Sequence, residues 1–220
     1  MNNVCDMRGV YLVTPDWNDT NQLLSVTEQA LKVKGGVCLL QYRHKTATQE
    51  LRLEQASALL ALCKKYQVPF IINDHIDLCM AIDADGVHVG GKDISVAQAR
   101  TLVGSEKIVG ASCYGDFNLA ISAQKSGASY VAFGGFYPSL VKQYPVTTSP
   151  SIVAKAKLEL AVPVVVIGGM TVDLARPLVD LGADMLAAIS SVYLANSAEL
   201  AVTQLAALFD LTGVNKLENK

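Results

Sequence analysis

The chain has 220 residues, 51% hydrophobic and 17% charged, with a net charge of -2. That length and apolar share suit one domain with a large core, and the charge argues against a nucleic-acid surface. No apolar run is long enough to cross a bilayer, and Met1–Arg8 lacks a signal-like core, so a soluble, cytoplasmic protein with no membrane partner is expected.

The first apolar run is Gly9–Val13. Thr14, Pro15, Asp16, Trp17 and Asn18 follow it, and this turn has no glycine, unlike the phosphate turn of a dinucleotide-binding fold. A helical pattern then spans Asn21–Val33, with Asn21 as its start signal. The next pairs are strand Val37–Gln41 with helix Gln49–Lys65 behind Thr48, and strand Pro69–Asn73 with helix Ile76–Ile82. Gly86–Val89 precedes a helix at Val96–Leu102 started by Ser95, and Ile108–Ser112 precedes Phe117–Ser126. Tyr130–Gly134, Val162–Gly168 and Met185–Ser190 complete the strands, paired with helices Ser151–Leu160, Leu174–Leu181 and Ala198–Leu211. Gly104, Gly127 and Gly182 stand where helices should stop.

The strand segments show little polar alternation, as expected for strands buried on both faces of a parallel sheet. Eight strand–helix pairs in 220 residues predict a single-domain (β/α)8 TIM barrel over about residues 9–211, with short polar tails. The five cysteines, Cys5, Cys38, Cys63, Cys79 and Cys113, are scattered and form no Cys-x-x-Cys pair. They read as reduced, mostly buried thiols, without a zinc site.

In such a barrel the functional groups sit at the C-terminal strand ends. Gln41, Arg43 and Lys45 alternate onto one face there, while His44 falls out of phase toward the helix layer. Arg43 and Lys45 are either surface charges or cations for phosphate oxygens. Asn73-Asp74 ends the third strand; an acid there either caps the next helix or holds a cation. Asp93 follows the fourth strand and is a turn residue or a second ligand to Mg²⁺. Ser112 either satisfies backbone or donates to a phosphate. Gly168-Gly169, with Ile189 and Ser190 at the end of the last strand, could admit a phosphate to backbone N–H groups. Gly134–Pro150 is long enough for a lid, and its Lys142 could reach a phosphate or stay solvated. His88 lies within an apolar strand and reads as a hydrogen-bonded core residue. No Ser/His/Asp triad occurs.

Taken together, several motifs in order resemble the thiamine phosphate synthase family over roughly Val10 to Leu194. They are Gln41-Tyr42-Arg43-His44-Lys45, Ile72-Asn73-Asp74, Ala84–Gly90 with Asp93, Gly110-Ala111-Ser112, Pro138–Lys142, Ile167-Gly168-Gly169 and Ile189-Ser190. The resemblance implies a transferase that joins a pyrimidine methyl diphosphate to a thiazole ethyl phosphate, or its carboxylated form, and releases diphosphate. It implies Mg²⁺ as cofactor, held by Asp74 and Asp93. Arg43, Lys45, Ser112 and Lys142 would carry the catalysis and, with Asn73, hold the diphosphate; Gln41 would lie near the pyrimidine. Tyr42 and His44 belong to the same motif and are included among its substrate-binding residues. Ser139, Leu140, Val141, Gly169, Ile189 and Ser190 would hold the thiazole phosphate.

The chain departs from the family pattern at Val141, where a second lid hydroxyl is usual, at Gly91 in place of Gln, and at Gly135 in place of Pro. These departures keep two other readings open: a thiazole tautomerase-like isomerase and a non-catalytic phosphate-binding paralogue. Oligomeric state is left open, a homo-oligomer included.

Overall fold

A computed structural model describes residues 7–91, 94–138 and 148–214, with side chains described as far as residue 210. Eight parallel strands close into a barrel in sequence order. They are β1 (Gly9–Val13), β2 (Val37–Tyr42), β3 (Phe70–Asn73), β4 (Gly86–Val89), β5 (Ile108–Tyr114), β6 (Tyr130–Gly134), β7 (Val164–Ile167) and β8 (Met185–Ala188). β1 pairs with both β2 and β8, which shuts the sheet. The helices are α1 (Thr20–Leu31), α2 (Gln49–Tyr66), α3 (Ile76–Ile82), α4 (Val96–Val103), α5 (Phe117–Lys125), α6 (Ser151–Glu159), α7 (Val172–Asp180), α8 (Ser190–Tyr193) and α9 (Ala198–Val214). The expected (β/α)8 barrel is therefore present, with the short α8 as an extra turn after β8.

Side chains alternate across each strand and sort the core into two layers. Val10, Leu12, Leu40, Tyr42, Phe70, Ile72, Val87 and Val89 point outward and pack under the helices. Tyr11, Val13, Leu39, Ile71, Tyr130, Val165 and Met185 point inward and fill the barrel. Both sets are almost wholly buried, which is why the strands read as apolar runs rather than as alternating ones.

The base of the barrel uses one device three times. A side chain just before a strand accepts from a backbone N–H at the start of the preceding strand. Asp85 takes Phe70 N at 2.7 Å, Ser129 takes Val109 N at 3.1 Å, and Asp184 takes Val164 N at 2.8 Å. Each bond satisfies a donor that begins a ladder and fixes the register of neighbouring strands.

Helix starts largely follow their local signals. Thr48 caps α2 through Leu51 N, and Ser95 forms a full capping box with Gln98. The start of α1 differs from expectation. Asn21 lies inside the helix, and Asp19, held in an extended conformation, accepts from Gln22 N at 3.0 Å. A carboxylate two residues earlier satisfies the first-turn donors and adds a favourable charge at the positive helix end. Cys63, Cys79 and Cys113 are buried and free, and Cys38 is half-buried with its thiol 3.4 Å from the Val10 carbonyl; Cys5 lies outside the described residues. Burial pushes the thiol of Cys79 up to about 11 and that of Cys113 up to about 12, so both stay protonated at neutral pH.

Gly86 pairs with Ile108 where β4 lies against β5. A Cβ there would overlap the carbonyl of Ile108, a backbone atom that cannot swing aside. Gly86→Ala is expected to cost about 3 kcal/mol or more by overpacking, and to lower Tm by roughly 6 °C or more. A thermal melt within 1–2 °C of the parent (about 0.5 kcal/mol by the same scaling) would show that β4 and β5 can separate there without penalty.

Candidate active site

At the C-terminal strand ends the inward positions stop being apolar. On β2 the inward side continues from Leu39 to Gln41 and then to Arg43, just past the strand. β3 supplies Asn73, β4 His88 and β5 Ser112, and these five line one wall of a cleft in the barrel mouth. Val165, Ile167, Ala187 and Ile189 from the β7 and β8 side line the other. The cleft therefore has a polar half and an apolar half, suited to a ligand with charged and ring-like parts.

Arg43 is fixed at both its backbone and its tip. Its N–H donates to Thr14 Oγ1 at 2.8 Å, and Thr14 Oγ1 donates back to its carbonyl at 2.9 Å. Thr14 is fully buried. The guanidinium meets Asp16 at 3.2 and 3.3 Å, and Asp16 also accepts from Lys45 N at 3.0 Å. The turn after β1 thus supports the cations after β2.

Lys45 Nζ is paired with Asp74 Oδ2, which also accepts from Asn73 Nδ2 at 2.6 Å. Asp74 has φ +62, uncommon for a residue with a side chain, and its N–H donates to the His88 carbonyl at 2.9 Å. It does not cap α3, whose N-cap is His75 with no side-chain cap bond. The helix-capping alternative for Asp74 is thereby removed. Ser112 likewise bonds to a side chain: its Oγ lies 2.8 Å from His88 Nε2.

Tyr42 and His44 face the other way. Tyr42 is packed under the helices with its hydroxyl donating to Gln55 Oε1 at 3.0 Å, and buried His44 meets Asn18 at 3.1 Å. Alternation dictates this: if Gln41 and Arg43 enter the mouth, their even-numbered neighbours cannot. The structure does not bring these two motif residues to the cleft. Gly169 and Ser190 stand at the β7 and β8 ends, where Gly169 has φ +63 and lies against the Pro138 carbonyl and Ser190 begins α8. Asp93, Ser139, Leu140, Val141 and Lys142 lie outside the described residues. The flanks of that lid segment are joined: Thr148 Oγ1 donates to Gly134 O at 2.6 Å, and Thr148 N to Gly135 O at 3.2 Å.

Tyr11, Thr14 and Asp16 carry no functional signal in the sequence, where His88 reads as core alone. His88 is indeed buried and bonded through both ring nitrogens, but it also lines the cleft. Burial pushes the phenols of Tyr11 and Tyr130 far above their ordinary range, so both remain neutral hydroxyls.

A family model described as thiamine monophosphate synthase matches residues 10–192. The chain belongs to this family. The thiamine-phosphate synthase of Janthinobacterium sp. (strain Marseille) is 63% identical over 204 residues, covering 93% of this chain and 98% of the relative. That of Nitrosospira multiformis is 42% identical, covering 93% and 86%. Among solved structures, a thiamine phosphate pyrophosphorylase from Pyrococcus furiosus superposes with a TM-score of 0.79 at 28% identity, covering 95% of this chain and 98% of that one. Membership in the thiamine monophosphate synthase family makes the chain a transferase.

Asp16→Asn is expected to loosen Arg43 and weaken calorimetric binding of inorganic diphosphate by about 2–5-fold, the upper range of one partly exposed ion pair. Equal affinity in parent and variant would show that Arg43 needs no anchor.

Proposed function

We propose that the chain joins 4-amino-2-methyl-5-hydroxymethylpyrimidine diphosphate to 4-methyl-5-(2-phosphoethyl)thiazole or its carboxylated form, giving thiamine phosphate and diphosphate, with carbon dioxide released as well from the carboxylated form. The observation that carries this reading is the cleft wall where Gln41, Arg43, Asn73 and Ser112 converge, with Lys45 and Asp74 paired beside it. These are donors and cations for a polyphosphate, next to an amide that can read a heteroaromatic ring edge.

The chemistry asks for departure and capture. The bond from the pyrimidine methylene carbon to the diphosphate oxygen breaks, and the electron pair leaves with the oxygen. The ring amino group stabilises the resulting cation, and the lone pair of the thiazole nitrogen then forms the new C–N bond. No general base is required for these two steps, in keeping with a mouth that offers donors and charges. Arg43, Lys45, Asn73 and Ser112 would hold the leaving group, with Lys142 from the lid, and the apolar wall would press the rings into line. Gly169, Ile189, Ser190 and the lid residues Ser139, Leu140 and Val141 would hold the phosphate of the thiazole.

Among the described residues no group of three or more His, Cys, Asp or Glu could hold a metal. Mg²⁺ asks for less, because one or two carboxylates suffice when a diphosphate and waters complete its shell. Asp74 at the mouth fits that requirement, with Asp93 as its partner. Bound Mg²⁺ would neutralise charge on the departing diphosphate. Free buried thiols support a reducing, cytoplasmic setting, and no helix of the described residues is long and apolar enough to cross a membrane.

The deciding experiment mixes the protein with both substrates, with and without Mg²⁺, and follows diphosphate and thiamine phosphate together. Formation of both in equal amounts, dependent on Mg²⁺, is expected. Absence of product while the thiazole phosphate still binds would replace this reading by the isomerase or the binding paralogue. Two variants test the assignment within the site. Asp93→Asn should lower kcat by about 100-fold or more, the scale of a lost transition-state charge contact, and near-parental turnover would remove Asp93 from the metal site. Arg43→Ala should weaken the pyrimidine diphosphate by about 10-fold or more and the thiazole phosphate by less than about threefold. Equal losses would contradict separate subsites.

A further inference from the structure

Below the cleft wall, five polar side chains form one continuous chain through the barrel interior. Gln41 Nε2 meets Tyr11 Oη; Tyr11 Oη lies 2.7 Å from Tyr130 Oη; Tyr130 Oη lies 2.8 Å from His88 Nδ1; His88 Nε2 lies 2.8 Å from Ser112 Oγ. Tyr130 is fully buried and does not line the cleft. Barrel interiors are normally filled with branched apolar side chains, so a buried polar chain at this level calls for a reason.

Each link has a fixed capacity. A tyrosine hydroxyl has one hydrogen to give, and a neutral imidazole donates from one nitrogen and accepts at the other. The chain therefore has two self-consistent polarities. If the Gln41 amide N–H donates to Tyr11, then Tyr11 donates to Tyr130, Tyr130 to His88 Nδ1, and His88 Nε2–H to Ser112. The hydrogen of Ser112 is then directed elsewhere, toward the cleft that Ser112 lines. If the amide is turned, every bond reverses, and Ser112 spends its hydrogen on His88. A diphosphate has oxygen acceptors alone, so it selects the first polarity at Ser112. The first polarity also leaves Gln41 Oε1 as an acceptor, which suits a ring that presents an amino group.

We propose that this chain is a coupling device in which Tyr11, Tyr130 and His88 act as positioning residues, so that an aminopyrimidine at Gln41 and a diphosphate at Ser112 favour the same hydrogen-bond polarity. It rests on the proposed assignment of those two ligands to the mouth. Recognition of one half of the substrate then prepares the donor for the other half, and by linkage the effect is reciprocal. The side chain of Tyr130 also explains a glycine: a Cβ at Gly110 would overlap its ring.

The test uses calorimetry on the full chain with two probes, inorganic diphosphate with Mg²⁺ and the aminopyrimidine alcohol that lacks the diphosphate. In the parent protein, saturation with the alcohol should tighten diphosphate binding by about 5–20-fold, within the usual range of coupling between sites. Tyr130→Phe keeps the ring and removes the central hydroxyl. It should reduce that factor to less than about twofold, while each probe alone binds within about threefold of the parent. Tyr11→Phe should do the same and serves if the first variant does not fold. A merely structural role would lower Tm and leave the factor intact. A second readout is the ¹⁵N spectrum of His88, which should show a single Nε2–H tautomer with diphosphate bound in the parent and a mixture in Tyr130→Phe. Independent binding of the two probes to the parent overturns the coupling alone. Failure of either probe to bind the parent overturns the ligand assignment and the coupling with it. A coupling factor preserved in both variants also overturns it.

Discussion

The contact between Tyr11 and Tyr130 sets the depth of the cleft. Their rings meet edge to face, 5.7 Å between centroids, and their hydroxyls are bonded at the centre of the barrel. Two large rings close the interior below the mouth, and the inward residues beyond them on β2 to β5 are the ones left to face a ligand. The geometry depends on neighbours small enough to allow it. Gly110 leaves room for the Tyr130 ring, and the adjacent inward position on β6 is Ala132. Edge-to-face pairs contribute about 0.5–1.5 kcal/mol beyond their buried area, but here the larger effect is positional. With the hydroxyls facing each other, the polar chain from Gln41 to Ser112 can cross the barrel without an unpaired buried donor.

Much of this was legible because a strand has a period of two. Once β2 was placed, Gln41 and Arg43 had to share a face, and the structure puts both in the cleft. The same rule sends Tyr42 and His44 outward, although they stand in the same motif. A motif is a run of residues, whereas a site is a face, and alternation is what separates the two. The position of His88 was also readable, since an inward polar residue on a short strand needs partners. Its partners were not readable, because Tyr130 is 42 residues away and Ser112 is 24 residues away.

What local reasoning missed are supports that act across the barrel seam. Asp16 sits in a turn that marked itself only by lacking glycine, yet it holds both Arg43 and the backbone of Lys45. Thr14 gives no signal in sequence, because a buried threonine at a strand end is ordinary. It becomes informative only when closure of β1 on β2 brings its hydroxyl between the N–H and C=O of Arg43. The cap of α1 was missed for a smaller reason. Asn21 and Asp19 are both good cap residues, and the choice falls to the one whose backbone is extended where the chain leaves β1.

The cations of the mouth are each held by an acid: Arg43 by Asp16 and Lys45 by Asp74. Such pairs near solvent contribute little to stability, on the order of 0–1 kcal/mol, because water screens them. Their value lies in what they prevent. An unpaired Arg or Lys samples many rotamers, and ordering it on ligand binding costs about 0.5–1.5 kcal/mol per side chain. The paired state pre-orders both cations at the rim, so a diphosphate bound as proposed would meet side chains already held in place. Asp16 can stay behind Arg43 as a support, since a guanidinium has donors enough for a carboxylate on one edge and a phosphate on another. Lys45 has no such fork, and its partner Asp74 is the carboxylate that fits Mg²⁺. The two pairs therefore differ in kind. One is a permanent brace. The other is a contact that a metal–diphosphate would take apart, exchanging Lys45–Asp74 for Lys45–phosphate and Asp74–metal with little change in the number of paired charges. That near balance would let a strongly charged substrate bind, and a diphosphate with one further negative charge leave, without an uncompensated carboxylate or ammonium in the mouth.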